Sequence, residues 1–96
     1  MPDFGDDRVM AATQRDLERW FRDFTDQQDL GFDGGRMMFA HNGVNLTVRI
    51  DSMPPRRLGL ITFIDTRVRF EYPPEQAAEA RRWITKFDHY TQRGGG

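Results

Sequence analysis

The dipeptide Asn42-Gly43 constrains this chain more than any other feature. Asn-Gly is the strongest short hairpin signal, because a tight two-residue turn needs positive φ at both central positions. Beyond it, Val44, Leu46, Val48 and Ile50 alternate strictly with Asn45, Thr47, Arg49 and Asp51. That period of two marks a strand with one face in a core. A two-residue turn also fixes the register, setting His41 opposite Val44, Phe39 opposite Leu46 and Met37 opposite Val48. The chain is therefore expected to hold an antiparallel hairpin over Arg36–His41 and Val44–Asp51, and that hairpin needs an apolar cover.

Two amphipathic helices can supply it. Between residues 10 and 28, Met10, Leu17, Trp20, Phe21 and Phe24 recur at helical spacing, with Thr13 and Asp16 placed as a capping box. Gly31, Gly34 and Gly35 then end the helix and open the sheet. Near the other end, Pro73-Pro74 suits a first helical turn, followed by a stripe of Ala77, Ala80, Trp83, Ile84, Phe87 and Tyr90. The segment between reads as a loop over Ser52–Arg57, because two prolines cannot sit inside a ladder. Leu58–Ile64 is nearly all apolar and reads as a central strand covered on both faces. Asp65-Thr66 is expected to turn the chain into a last strand over Arg67–Tyr72, with Val68, Phe70 and Tyr72 facing in. The fold class is thus α+β, a four-stranded antiparallel, strongly bent sheet in the order α-ββ-ββ-α. Residues 1–9 read as an acidic, disordered lead-in, 10–92 as a single domain and 93–96 as a flexible tail.

Ninety-six residues allow one domain with a thin margin of stability. No apolar run approaches the roughly 18–20 residues of a membrane span. The beginning, MPDFGDDRVM, lacks the basic region and apolar stretch of a signal peptide. A cytoplasmic protein with no membrane partner is expected. Charge is polarised: residues 1–33 hold nine acids against four arginines, whereas residues 34–96 hold ten bases against six acids. The net charge of −1 hides this division, which favours pairing of unlike surfaces and leaves a basic region that can meet an anion.

The segment Gly59–Phe70, GLITFIDTRVRF, resembles the first conserved motif of the Sm/LSm family. Gly59, Ile61, Ile64 and Asp65 fit the motif's spacing, and Val68 and Phe70 fit the strand after its turn. Arg69 stands where the family has an asparagine, and the family's second motif has no counterpart. The resemblance implies an Sm-like barrel variant, assembly through strand edges, and RNA contact near Asp65 and Arg69.

The chemistry on offer is limited. With no cysteine there is no thiolate ligand or thiol nucleophile, and two histidines, His41 and His89, do not make a metal site alone. His41 and Asp51 lie at opposite ends of the hairpin, too far apart for a proton relay. Gly34-Gly35 lacks the Lys-Ser/Thr of a phosphate loop. No enzyme, cofactor or metal is expected. The candidate nucleic-acid residues are Asp65, Arg67, Arg69, Arg49, Arg56 and Arg57. Arginines two apart on a strand lie about 7 Å apart, close to the spacing of successive phosphates. Glu71 and Asp51 share that face and compete for the same guanidinium groups. If both helices cover one face of the sheet, Met38, Ala40, Leu60 and Ile64 form an uncovered self-association patch. The expectation is a small nonenzymatic Sm-like module, a homo-oligomer (dimer or higher) that binds RNA. The alternative is a protein-protein interaction module or adaptor with no nucleic-acid role.

Overall fold

A computed structural model describes residues 4–94, with side chains from 4 to 92. Its main sheet has four antiparallel strands in the order β1 (Phe4–Met10), β6 (Thr66–Tyr72), β3 (Val44–Ser52) and β2 (Arg36–His41). The sheet is not closed: β1 and β2 are its edges. The β2–β3 hairpin has the register set by Asn42-Gly43, with His41 opposite Val44, Phe39 opposite Leu46 and Met37 opposite Val48. Both turn residues take positive φ, 52° for Asn42 and 79° for Gly43.

Helix α1 (Gln14–Thr25) begins at the expected capping box: the Asp16 amide donates to the Thr13 hydroxyl and the Thr13 amide donates to the Asp16 carboxylate. Helix α2 (Ala77–Gly94) follows a short 3-10 turn at Pro74–Gln76. It runs through residues 93 and 94, where a tail was expected, and residues 95–96 lie outside the described residues. Both helices pack on the same face of the sheet. Leu17, Phe21, Ala80 and Phe87 are wholly buried against Val48, Val68 and Phe70. Phe21 is the centre of this layer, stacked on Phe87 at 4.4 Å and tilted against Phe39 and Phe70.

Two expectations are corrected. The lead-in is not disordered over Phe4–Val9: these residues form most of β1 and pair with β6 from Phe4 opposite Tyr72 to Met10 opposite Thr66. Its acids mislead because an edge strand carries charge outward, as edges must to resist pairing with other chains. Here two of the charges also find partners, one in β6 and one on α2. The Tyr72 hydroxyl donates to Asp6 at 3.1 Å, and Arg8 pairs with Asp88 while its guanidinium lies 5.1 Å over the Phe70 ring. Residues 1–3 of that lead-in lie outside the described residues.

The second correction concerns Leu58–Ile64. This run is not a central strand: it is broken by a turn at Gly59-Leu60 into β4 (Arg56–Leu58) and β5 (Ile61–Phe63), which pair only with each other. Gly59 takes φ of 62°, the requirement for glycine at the first position of a tight hairpin turn. Asp65-Thr66 does not reverse the chain, because β4–β5 continues outward from the β3–β6 ladder. That ladder ends at Ser52 opposite Thr66, with a last bond from the Met53 amide to the Asp65 carbonyl at 3.3 Å. Pro54-Pro55 then interrupts it, and pairing resumes one residue out of step at Arg56 opposite Phe63. A one-residue slip turns side chains to the other face. The result is a kinked arm whose strands pack chiefly on each other, on a molecule 46 Å long and 28 by 24 Å across.

Candidate docking arm and open sheet face

With both helices on one side, the other face of the sheet is open. Across it the paired positions set Asp7, Arg69, Arg49 and Arg36 in one transverse row, with Arg67 opposite Asp51 and Val9 in the next. Asp7, Val9, Asp51 and the arginines 49, 67 and 69 line a shallow hollow of about 530 Å3. Two of its cations are held by carboxylates. Arg49 Nε donates to Glu71 at 2.7 Å, while Arg69 donates to Asp7 at 3.0 Å and to Glu71 at 3.2 Å. Arg49 first, and then Arg69, holds the Glu71 carboxyl below its usual range against the opposing effect of burial. Asp7 and Glu71 likewise raise Arg69. Gly5 makes room for this arrangement: a side chain there would collide with the Arg69 guanidinium.

The remaining candidates are elsewhere. Asp65 sits in the kink of the arm with its side chain only 6% exposed, and Arg56 grips it through Nε and through Nη2, the latter at 3.3 Å. The hydrogen bonds from Arg56 hold the Asp65 carboxyl below its usual range, outweighing desolvation, and Asp65 in turn raises Arg56. Arg56 also lies 5.3 Å over the Phe63 ring. Arg57 is exposed on the opposite face of β4, paired with Thr62. The six candidate residues therefore divide into a sheet-face group of Arg49, Arg67 and Arg69 and an arm group of Arg56, Arg57 and Asp65. Three of the five arginines (Arg49, Arg69 and Arg56) are bound to carboxylates of the same chain.

Met38, Ala40, Leu60 and Ile64 are all exposed, but they too divide in two. Met38 and Ala40 lie on edge strand β2, and Leu60 and Ile64 on the arm. Alternation along the arm sets Leu58, Ile61, Phe63 and Arg56 on one face and Arg57 with Thr62 on the other. At the tip Leu60 is 105% exposed, with Leu58 at 64% and Ile61 at 59%. Soluble chains tolerate single exposed leucines, but here three large apolar side chains cluster on one projection.

The histidines have structural surroundings. Trp83 Nε1–H donates to His41 Nδ1 at 2.9 Å, at the rim of the core, and His89 is exposed on α2. Among the described residues no group of three or more His, Asp or Glu side chains is placed to hold a metal ion. No helix among them is long and apolar enough to cross a membrane. Sequence reading missed Arg8 and Asp88, which lie 80 residues apart, and no local pattern joins them. It also missed the arm as a unit, for which Pro54-Pro55 and Gly59 were the available signals. Comparison of the chain with protein-family models, with curated proteins and with solved structures finds no match.

Proposed function

We propose that this chain is a nonenzymatic protein-interaction module whose docking element is the β4–β5 arm. The observation that carries this reading is the exposure of Leu60 at the tip, together with Leu58 and Ile61 beside it. An isolated two-stranded ribbon is marginal in water and needs a third strand or a packed layer on its apolar face. Among the described residues no third strand joins the ribbon and its apolar side chains stay exposed, so a partner provides that layer. Burying an exposed Leu or Ile side chain contributes about 1.5–3 kcal/mol, and three together suffice to anchor a contact.

An Sm-like, RNA-binding role has less support. Its sheet-face arginines are largely engaged by Glu71 and Asp7, and its Asp65 is turned to Arg56. A photo-crosslinking residue in place of Leu60 tests the proposal in the source cells. Protein adducts are expected from position 60 and not from the exposed position Glu79 on α2. Equal adduct patterns at the two positions would count against the arm. So would tight binding of labelled oligo(U) at about 50 mM salt that is abolished by Arg67→Glu with Arg69→Glu, because phosphate contacts are strongest at low salt.

A further inference from the structure

We infer that the partner of the arm is a second copy of this chain, each arm seating its tip in a hollow beside strand β2 of the other. This rests on the docking role proposed above and adds the identity of the receiving surface. That surface is a hollow of about 360 Å3 lined by Gly31, Asp33, Arg36, Met37 and Met38. Met38 is 60% exposed within it, a large apolar side chain at a sheet edge. The arm supplies what the hollow lacks, a convex apolar tip of Leu58, Leu60 and Ile61.

Charge agrees with the fit. Asp33 lines the hollow and is exposed, and residues 26–35 before the strand carry no base. Residues 53–64 of the arm carry Arg56 and Arg57 and no acid. Arg56 is already satisfied by Asp65, so Arg57, on the other face of the ribbon from Leu58 and Ile61, is the cation left to meet Asp33 at the rim of the hollow. The polarity visible in the sequence thus becomes a pairing between copies. Arg36, the one base at the hollow, is turned onto the Met38 sulfur at 2.8 Å.

Geometry allows the exchange to be mutual. The arm leaves the sheet after Ser52, and Arg36 stands opposite Arg49, only three residues earlier on the same strand. Arm and hollow therefore occupy the same end of the sheet. A two-fold axis at that end brings each arm to the other copy's hollow and closes the assembly as a dimer, leaving no free site for fibre growth.

The test uses the absence of cysteine from the sequence. Chains carrying Leu60→Cys and chains carrying Met38→Cys are mixed under mild oxidation, and the mixed disulfide is expected in excess over either homodisulfide. Sedimentation should give a species of twice 11.3 kDa at rising concentration. Leu60→Asp and Met38→Asp should each weaken the dimer about tenfold or more. Arg57→Glu and Asp33→Arg should each weaken it severalfold, and together restore it. Both apolar positions are exposed, so the substituted chains fold. A homodisulfide at position 60, or a dimer indifferent to Met38→Asp, would overturn the arrangement. A chain that stays monomeric at every concentration would overturn it too. If that monomer crosslinks to other proteins through position 60, the docking arm stands and only self-pairing falls. If it instead floats with phosphatidylglycerol vesicles, the arm's occupant is a lipid surface and both readings fall.

Discussion

Leu60→Ala and Leu17→Ala make the same chemical change in environments that could hardly differ more. Leu17 is wholly buried between α1 and the sheet, whereas Leu60 is 105% exposed at the arm tip. Truncating a buried leucine removes its transfer energy and leaves a cavity, at a cost of about 2–5 kcal/mol. A chain of this length has a total stability of roughly 5–14 kcal/mol, so that is a large share. With about 4–8 °C of Tm per kcal/mol, a central cost of ~3 kcal/mol lowers the midpoint by roughly 12–24 °C. Truncating an exposed leucine changes stability by no more than about 0.5 kcal/mol, under roughly 4 °C. The assay is thermal unfolding followed by far-UV circular dichroism at a dilute and a concentrated loading. At the dilute loading only Leu17→Ala should move the curve. At the concentrated one the parent gains stability by mass action of pairing, and Leu60→Ala should lose that increment alone. Comparable losses for both variants in the dilute sample would mean that Leu58–Ile64 is packed as a covered strand and not carried on an exposed arm.

Two further outcomes follow from the ion pairs and the helix cap. Asp65 and Glu71 are both held below their ordinary values of 3.8 and 4.5 by arginines. A carboxyl more acidic in the folded chain contributes stability that is full above the ordinary value and disappears as pH falls through the folded one. Urea midpoints are therefore expected to hold level from neutrality to about pH 5 and to decline below about pH 4. Asp65→Asn with Glu71→Gln should flatten that decline, and an unchanged slope in the double variant would place the acid sensitivity elsewhere. Thr13→Ala removes one half of the capping box and should cost about 1 kcal/mol, a Tm loss of roughly 4–8 °C. A Thr13→Asp chain should recover most of it, because an aspartate accepts the same amide.

What was legible in the sequence was whatever depends on near neighbours. Asn42-Gly43 set the hairpin and its register, Thr13 with Asp16 set the start of α1, and the stripe from Ala77 to Tyr90 set the buried side of α2. Strand β1 was hidden because its partners are remote. Asp7 bonds Arg69 from 62 residues away, and an acidic edge has the composition of a disordered end. The run Leu58–Ile64 failed for another reason. Its apolar content matches that of a covered strand, yet Leu58, Leu60 and Ile61 are exposed. Only Pro54-Pro55 and Gly59 carried the difference, through a broken ladder and a turn. At the candidate site the arginines were found, and their division between sheet face and arm was not, because the one-residue slip at the kink has no counterpart in the sequence pattern.

The pairing of β1 with β6 has a consequence for synthesis. Phe4 must wait for Tyr72, and Met10 for Thr66, before either finds its neighbour. At about 5–20 residues per second, a ribosome leaves the first strand single for several seconds while the hairpin, the arm and the last strand are made. During that interval its aspartates keep it hydrated, which suits a segment that emerges early and is docked late. The edge of the sheet is thus the step at which the nascent chain becomes a finished domain.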